Sequence, residues 1–315
     1  MDGMSHTYIP AGMASFAGAC QFTLKSSIDC VGVGLHSGRR VQMALHPAAP
    51  DHGVVFRRAD LGHDHLIRAR YDMVADTRLA TVLGDPADPA LRVSTVEHVM
   101  AALAGCGIDN ALIEVDGPEL PVLDGSAAHL VFLIDCAGIT AQDAPRRTIE
   151  ILRSVRVTEG DAFAELSPAG PHEDGLELAM SIEFAAEAIG AQALSLHLTP
   201  ASFRQELSRA RTFALAEDID RLRAAGMARG GSLDNAVVVD AARVLNPGGL
   251  RMHDEFVRHK LLDAVGDLAL AGGRLCARFT AHRSGHALNN RLLRTLMADK
   301  SAWRAGVQMP VLVAA

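Results

Sequence analysis

The chain has 315 residues, a hydrophobic content of 49%, a charged content of 21% and a formal net charge of −7 at pH 7. This composition is typical of a soluble globular protein and excludes a largely disordered chain. The acidic balance lacks the clustered excess of Lys and Arg that nucleic-acid binding requires, so no nucleic-acid partner is expected.

The cysteines and the apolar runs indicate a cytoplasmic protein. No apolar run approaches the ~18 residues that a membrane span needs. Residues 1–21 lack the basic start and long apolar stretch of an export signal, and they are predicted to form a disordered N-terminal extension. The cysteines are odd in number, widely spaced and without a C-x-x-C pair, as suits a reducing compartment. They are Cys20, Cys30, Cys106, Cys136 and Cys276.

At this length two domains are expected. In the first half, alternating apolar and polar residues predict strands over 22–46 with a turn at 36–38. Gly32, Gly34 and Gly38 lie within this strand-like sequence and no helix follows them, which excludes a phosphate-binding loop. Helices are predicted over 95–105 and 126–137, with a strand over 111–115 between them.

The polar segment 141–147, which contains Pro145, is predicted to link a first domain, 22–140, to a second domain, 148–315. In the second domain the pattern predicts strands over 149–157, 176–184 and 236–239. It predicts helices over 200–209 and 216–225, a helix within 253–272 and a last helix from 287. Strands and helices mix without strict alternation, so the predicted fold class is α+β.

Three side chains recur every four residues in the segment 253–272, namely His259, Asp263 and Asp267. Four residues advance a helix by slightly more than one turn, so the three lie along one stripe. Imidazole and carboxylate at this spacing can bind one cation, and zinc accepts both ligand types. The alternative is a solvent-facing His/Asp pair that stabilises the helix by a few tenths of a kcal/mol.

Glu97 and His98 lie near the start of the helix predicted over 95–105. Ser94 and Glu97 fit the S-x-x-E capping box, which offers a purely structural alternative for Glu97. Adjacent helical residues point about 100° apart, so the two side chains cannot bind one ion equally well. The pair therefore predicts a metal ligand, His98, and a general base, Glu97, because a carboxylate beside a metal-bound water can take its proton.

His98 from the first half, with His259 and Asp263 from the second, supplies two nitrogens and one carboxylate. Three protein ligands leave tetrahedral zinc an open position for water, whereas a structural site would need a fourth ligand. Ferrous iron accepts the same ligand set. Composition alone does not select this trio, because other histidines are present. They include His36, His46, His52, His63, His65, His253 and His282.

His286 lies in the segment 284–290, at the start of the last helix. The positive end of a helix lowers the pKa of a histidine there, whereas a carboxylate such as Asp267 nearby would raise it. Glu97 as base and His286 as acid match the two proton transfers of amide hydrolysis. The alternative is an N-terminal helix histidine without a chemical role.

Five motifs together resemble those of the UDP-3-O-acyl-N-acetylglucosamine deacetylase family, the zinc amidases of lipid A biosynthesis in Gram-negative bacteria. The resemblance runs from about Phe22 to about Trp303, with the motifs in the same order. The motifs are TVEH at 95–98, PVLDGS at 121–126, ARTF at 210–213, VRHK at 257–260 with Asp263 and Asp267, and SGHALNN at 284–290.

The resemblance implies two similar α+β domains, each a sheet layered with helices, with the active site in the cleft between the domains. It implies that His98, His259 and Asp263 hold zinc, one ion per chain, with ferrous iron as the alternative metal. It makes Glu97 the general base. A monomer with a small-molecule substrate is expected.

The resemblance also implies roles that the residues by themselves do not. Thr212 would join zinc in stabilising the oxyanion, and His286 would protonate the departing amine. Asp267 would orient His286 and favour its charged form. Lys260 would face the phosphate side of the substrate.

An acyl-chain passage is implied for an insert at about 214–242. Leu215, Ile219 and Leu222 follow helical spacing there, a pattern that by itself indicates an ordinary amphipathic helix packed on a core. Burial of an acyl chain at ~0.8 kcal/mol per methylene would contribute much of the substrate binding. Expected substrate contacts are Lys260, Phe184, Phe213, Leu35 and Ile219.

Two departures from the family pattern affect substrate contacts and leave the metal and acid–base groups intact. The segment 183–187 reads EFAAE where the family commonly has Asp-Phe followed by His-Pro, which affects contacts to the uridine. Arg78 lies in a loop that is often less charged.

The expected reaction is therefore hydrolysis of the acetamide of UDP-3-O-(3-hydroxyacyl)-N-acetylglucosamine to the free amine and acetate. One alternative is a catalytically silent zinc or nucleotide-sugar binding protein of the same fold. Glu97, Thr212 and His286 argue against it, because metal binding requires none of them. Another is a metallohydrolase of this architecture that acts on a different acylated amide.

Overall fold

The computed structural model describes residues 19–62, 64–170 and 175–308. The fold is α+β, as predicted. The α-helices of these residues are α1 (Glu97–Cys106), α2 (Ala128–Ala137), the short α3 (Pro200–Ser202), α4 (Ala216–Ala224), α5 (Glu255–Ala269) and α6 (His286–Ala298).

Two larger sheets and three smaller ones accompany the helices. The strands of the first half are β1 (Cys20–Leu24), β2 (Ile28–Val33), β3 (Arg40–Pro47), β4 (Val54–Arg58), β5 (Leu66–Arg68), β6 (Val74–Asp76), β7 (Val82–Asp85), β8 (Asp88–Val93), β9 (Ala111–Val115) and β10 (Ile139–Pro145). Those of the second half are β11 (Arg147–Ile151), β12 (Val155–Glu159), β13 (Ala162–Pro168), β14 (Leu176–Glu183), β15 (Ala191–His197), β16 (Phe213–Leu215), β17 (Val237–Asp240), β18 (Arg243–Val244), β19 (Arg274–His282) and β20 (Trp303–Val307).

The first half contains a five-stranded sheet in the order β2-β3-β9-β4-β5. Strand β3 alternates exposed and buried residues, because one face of the sheet lies on the core and the other meets solvent. Met43, Phe56 and Ile113 are fully buried on the inner face. They belong to the same continuous core as the apolar residues of helix α1.

The second half contains a seven-stranded mixed sheet in which β19 pairs with β11, β13 and β14. Strand β19 is parallel to β11 and β14 and antiparallel to β13. Helix α5 packs on β14, β15 and β19 of this sheet, and α6 packs on β12 and β13.

Each half also carries a small three-stranded sheet. Strands β6, β7 and β8 form one within the first half, and β16, β17 and β18 form the other within the second half. The second of these, with α4, coincides with the insert predicted at about 214–242. Residues 84–85 and 88–93, which include part of a Pro- and Asp-rich stretch, belong to β7 and β8.

Helices α1 and α5 cross in close contact between the two larger sheets. The crossing depends on Gly266 of α5, because a Cβ there would lie 2.0 Å from the main-chain oxygen of Glu97. Both helices are buried along most of their length. The crossing therefore brings the first turn of α1 beside the middle of α5.

The predicted boundary between the two domains falls within paired strands and not in an unpaired linker. Residues 139–145 form β10, which pairs with β1, and β11 starts at Arg147, so the predicted linker 141–147 lies within these strands. The division into domains 22–140 and 148–315 stays a prediction. Of the predicted extension 1–21, residues 1–18 lie outside the described residues, whereas Cys20 and Gln21 are already part of β1.

Several elements differ from their predictions. The helix predicted over 200–209 is the short α3 followed by a π-helical turn, Phe203–Leu207. The strand predicted over 149–157 is divided into β11 and β12. The strands that were not predicted are β4 to β8, β10, β13, β15, β16 and β18 to β20.

Candidate metal centre and active site

His98, His259 and Asp263 come together at the crossing of α1 and α5. Their ligand atoms all lie within 4.8 Å of one another, and all three residues are buried. Asp263 Oδ1 lies 3.6 Å from His98 Nε2 and 3.4 Å from His259 Nε2. The imidazole rings meet edge to face, with centroids 5.1 Å apart. Two nitrogens and a carboxylate oxygen thus converge on one point.

A main-chain contact on the Nδ1 side of the ring fixes the orientation of His259. Its Nδ1 lies 3.0 Å from the main-chain oxygen of Ala210, which can only accept a hydrogen bond. The proton is therefore on Nδ1, and the lone pair of Nε2 faces His98 and Asp263. Burial lowers the pKa of His259 to about 4, against the opposing charge of Asp263. The imidazole is thus held in the neutral form that binds metal ions.

Asp263 presents one bonded and one unbonded oxygen. Its Oδ2 accepts a hydrogen bond from Lys260 Nζ at 2.9 Å. Its Oδ1 is buried and has no hydrogen-bond partner among the described residues. Burial opposes ionisation of this carboxyl, but its basic neighbours, among them the cationic Lys260, outweigh burial and hold its pKa well below the usual range. A buried ionised oxygen without a donor is costly unless a cation occupies the space before it.

Glu97 does not act as a helix cap. Helix α1 begins at Glu97 itself, its N-terminus has no side-chain cap, and Thr95 just before it has a left-handed backbone with φ of 61°. The capping-box alternative is therefore wrong. Glu97 Oε2 instead accepts a hydrogen bond from the main-chain N–H of Thr81 at 3.0 Å. Burial raises the pKa of the Glu97 carboxyl.

His286 is the first residue of α6 and pairs with Asp267 of α5. Its Nδ1 lies 2.9 Å from Asp267 Oδ2, and its Nε2 lies 4.0 Å from Glu97 Oε1. Burial by itself lowers the pKa of His286. The charge and hydrogen bond of Asp267, with the charges of Glu97 and Asp263, outweigh burial and raise the pKa to about 9. His286 is thus cationic near neutral pH and faces Glu97.

Two residues of this network were not predicted as site residues. Thr81 Oγ1 donates to Asp267 Oδ1 at 2.5 Å, and Asn289 Nδ2 donates to Asp267 Oδ2 at 2.8 Å. Asn289 lies within the SGHALNN motif three residues after His286, so both face the same side of α6. Thr81 belongs to the β6–β8 region and has no such signal in the sequence.

Thr212 and Phe213 reach the site through main-chain bonds. The N–H of Thr212 donates to Gly125 of the PVLDGS motif, and its carbonyl accepts from Val237. Gly125 has φ of 79°, and a Cβ there would lie 2.0 Å from the main-chain oxygen of Asn235. Only glycine therefore permits the motif to approach this closely.

The Phe213 ring packs edge to face against three other rings. Its centroid lies 5.0 Å from that of Phe256, 5.5 Å from that of Phe184 and 6.4 Å from that of His259. Phe213 therefore joins the metal-binding cluster to the surface that carries Phe184.

An apolar cavity of about 280 Å³ adjoins this cluster. It lies among the loop after β2, strand β16, helix α4 and the segment 228–238. Of the predicted substrate contacts, Phe184 and Lys260 do not line it. The predicted site residues that line it are Leu35, Thr212, Phe213 and Ile219.

Helix α4 contributes Ile219 and Leu222 to the wall of this cavity. Leu215 packs against the core instead. The helix contains no buried residue, so it covers the cavity from the outside.

A second cavity, of about 240 Å³, lies elsewhere between the two halves of the chain and is not lined by the metal-binding trio. Polar side chains on its wall bond to one another. Arg146 pairs with Asp109 at 2.8 Å, and Gln21 accepts from Asn110 at 2.8 Å. This cavity thus presents satisfied polar groups, unlike Asp263 at the metal-binding cluster.

The two departures from the family pattern lie outside the hydrogen-bonded network around Asp267. The exposed guanidinium of Arg78 pairs with Asp76 at 2.6 Å. Glu183 ends β14 and is exposed, although Phe184 beside it packs on Phe213. His63 lies outside the described residues.

Comparison with known proteins agrees with this geometry. The family model of UDP-3-O-acyl N-acetylglycosamine deacetylase matches residues 21–298. A protein of Thioalkalivibrio sulfidiphilus named UDP-3-O-acyl-N-acetylglucosamine deacetylase is 50% identical over 285 residues, which cover 90% of this chain and 91% of that protein.

Two further relatives carry the same name. The protein of Phenylobacterium zucineum is 49% identical over 285 residues, or 90% of this chain and 95% of its own length. The protein of Myxococcus xanthus is 48% identical over 283 residues, or 90% of this chain and 88% of its own. The match spans all of the residues in the cluster at the helix crossing.

Proposed function

The chain belongs to the UDP-3-O-acyl-N-acetylglucosamine deacetylase family, and from this premise we propose how its residues perform the reaction. It hydrolyses the acetamide of UDP-3-O-acyl-N-acetylglucosamine, a step of lipid A biosynthesis. The observation that carries the mechanism is the unbonded, buried Asp263 Oδ1 facing two imidazoles beside Glu97 and His286.

Zinc is the proposed cofactor, one ion per chain, held by His98, His259 and Asp263. The donor set fits, because two imidazoles and a carboxylate are typical ligands of catalytic zinc. Ferrous iron fits the same donors. When bound, the ion polarises the amide carbonyl and lowers the pKa of a water molecule to near ~7.

Glu97 is the proposed general base. Its Oε2 is held by the Thr81 N–H, which leaves Oε1 free to take a proton from the attacking water. Burial raises its pKa, which strengthens it as a proton acceptor. It lies next in sequence to His98, so it is positioned by the same helical turn as a metal ligand.

His286 is the proposed general acid that protonates the departing amine. Nδ1 donates to Asp267, and in the cationic ring the second proton, on Nε2, faces the reacting groups. Asp267 also accepts from Thr81 and Asn289, and these bonds fix the carboxylate that orients the ring. The rise of the His286 pKa to about 9 keeps the acid protonated at neutral pH.

Thr212 is proposed to stabilise the oxyanion, supported by its place between the metal-binding cluster and the cavity. Lys260 Nζ donates to Asp263. Its proposed role toward the phosphate side of the substrate requires that the same ammonium group also contact the substrate. Phe184, Phe213, Leu35 and Ile219 are the proposed substrate contacts, of which the last three line the cavity proposed to hold the acyl chain.

The acyl group of the substrate is proposed to be a 3-hydroxyacyl ester. The enzyme is proposed to be a cytoplasmic monomer. None of the helices in the described ranges is long and apolar enough to cross a membrane. A protein that only bound metal or nucleotide sugar would have no use for the bonded pair of Asp267 and His286 facing Glu97.

The test is acetate release from the UDP-acylglucosamine substrate. Metal-replete protein, chelated protein and Asp263→Ala are compared side by side, with Asp240→Ala, an exposed carboxylate on β17, as the matched control. Release that is lost with chelator, restored by zinc, absent in Asp263→Ala and retained in Asp240→Ala supports the mechanism. No release by folded, metal-loaded parent protein would contradict the proposed substrate.

A further inference from the structure

Three polar side chains on the wall of the cavity beside the metal-binding cluster have no part in the proposed mechanism, namely His36, Arg223 and Ser232. Most of its wall is apolar, with Leu35, Phe213, Ile219 and Leu222 among the lining residues. His36, in the turn after β2, also lines it. Burial of an imidazole in the wall of an apolar cavity costs free energy unless its ring nitrogens form hydrogen bonds.

Neither ring nitrogen of His36 has one within the described part of the chain. Nδ1 and Nε2 are both buried, and no described residue donates to or accepts from either. The imidazoles of His259 and His286 differ, because each is anchored through Nδ1 to Ala210 or Asp267. The His36 ring is therefore held in the wall with its hydrogen-bonding capacity unused.

The main chain of the turn is nevertheless fixed. Glu119 Oε1 accepts from the N–H of His36 at 2.7 Å, and Oε2 accepts from the N–H of Ser37 at 2.8 Å. Thr95 Oγ1 lies 3.4 Å from Glu119 Oε1. Thr95 is two residues before Glu97, so these bonds tie the His36 turn to the start of the helix that carries the proposed base.

Because the His36 turn is bonded to the start of the helix that carries Glu97, the ring should contact the part of the substrate closest to the reacting amide. The amide nitrogen and the acyl ester oxygen are on neighbouring carbons of the sugar, C2 and C3. When the amide lies at the metal-binding cluster, the start of the acyl chain lies at the adjoining end of the cavity. A 3-hydroxyl would fall in this first stretch of the chain, ahead of the methylenes that need only an apolar wall.

We propose that His36 hydrogen-bonds the 3-hydroxyl of the acyl chain and makes the enzyme selective for hydroxylated over unsubstituted acyl chains. This rests on the proposed function, since it takes the acyl ester as the occupant of the cavity. His36 is a specificity-determining residue in this role and takes no part in proton transfer.

The charge state of the ring suits a hydroxyl. Burial lowers the pKa of His36, with the Glu119 charge opposing, so the imidazole is neutral at neutral pH. A neutral imidazole donates from one nitrogen and accepts at the other, and a hydroxyl also does both. A hydroxyl can therefore bond to whichever ring nitrogen faces it, whereas an ester carbonyl, which only accepts, can bond to the protonated nitrogen alone.

The test compares two substrates of equal acyl length, one with and one without the 3-hydroxyl, in parent enzyme, His36→Leu and His36→Gln. We expect the parent to favour the hydroxylated substrate by about ten- to a hundredfold in kcat/KM. His36→Leu should lose most of this ratio through the hydroxylated substrate alone. His36→Gln, which keeps a donor and an acceptor, should retain part of it.

A binding measurement separates this proposal from the deacetylase mechanism. Kd is measured for both substrates with Glu97→Gln and with Glu97→Gln/His36→Leu, so that turnover is not required. A parent preference that persists in His36→Leu, or an equal loss for both substrates, would overturn the role of His36. An absence of turnover with an intact, His36-dependent Kd ratio would overturn only the proposed reaction.

The matched control is His46→Leu. His46 Nε2 is also buried without a partner in the described structure, but His46 lies on β3 and does not line the cavity. Its substitution should leave the substrate ratio unchanged. A comparable change in both variants would mean that the ratio reports a general loss of packing, and the proposal would fail.

Discussion

The metal-binding end of the site and the cavity beside it are built in opposite ways. The metal-binding end lies on α1 and α5 in the centre of the molecule, and its charged groups are almost completely buried. Asp267 alone accepts three side-chain hydrogen bonds. The cavity is walled by the half-buried side chains of α4 and by the small β16–β18 sheet.

The contrast follows from what each end must do. Proton transfer requires groups held to within a fraction of an ångström, which only a buried, fully bonded network on rigid helices provides. Binding of an apolar chain depends on the area removed from water and tolerates a looser wall. Substitutions at the metal-binding end should therefore act on kcat, and substitutions in the cavity should act on KM.

The largest effect is expected for Glu97→Gln. The amide keeps the shape and can still accept from Thr81, but it cannot take a proton, so kcat should fall by ~10² to 10⁴. Steady-state kinetics with bound metal measured in parallel is the check. Glu114→Gln on β9 is the control. A turnover near that of the parent would remove Glu97 from the role of base.

Asp267→Asn should lower kcat by about 10- to 100-fold, the range typical when a bonded partner of a site histidine is lost. It should also change the pH profile. The parent loses activity as pH falls through the raised pKa of Glu97, which must be ionised, and as pH rises through about 9, where His286 loses its proton.

Removal of the Asp267 charge lowers the pKa of His286, so the basic limb of the Asp267→Asn profile should move to lower pH while the acid limb stays. The pH dependence of kcat/KM measures both limbs. Asp299→Asn, an exposed carboxylate paired with Arg153, is the control. A basic limb that stays in place would show that His286 does not set it.

Gly266→Ala tests the helix crossing itself. The new Cβ would meet the main-chain oxygen of Glu97 at 2.0 Å, so α1 and α5 must separate. Overpacking of this kind costs about 1 to 3 kcal/mol in the free energy of unfolding. Denaturant unfolding and metal affinity should both decline. Gly248→Ala, where nothing lies within 4 Å of the new Cβ, should change neither. Unaltered unfolding of Gly266→Ala would mean that the crossing is not tightly packed.

The smallest effect is expected for Ile219→Ala in the cavity. Loss of a few methylene contacts at ~0.8 kcal/mol each should raise KM for a long acyl chain by about three- to tenfold with little change in kcat. Short-chain substrates should be affected less. Leu61→Ala, an exposed residue, is the control. A fall in kcat without a rise in KM would contradict the division between the two ends.

Some elements of the fold were predictable from local pattern and others were not. Helix α4 and strand β9 lie close to their predicted bounds, because their periodicity is clear. Strands β6 to β8 were not predicted, since they are only three, four and six residues long and each gives too short a stretch of alternation to recognise. The capping-box interpretation of Glu97 was wrong because the backbone of Thr95 directs the chain away from a standard helix start.

The sequence by itself determined the donor types and the stripe of His259, Asp263 and Asp267, because the helical repeat places residues four apart on one face. It also determined the family, since the motifs are numerous and ordered. Only the tertiary structure decided that His98 joins this stripe and that Thr81 and Asn289 hold Asp267. It also decided that the His36 ring lies in the cavity wall with no partner among the described residues. These contacts join residues far apart in the chain, and their geometry depends on how closely two helices cross, which no local pattern encodes.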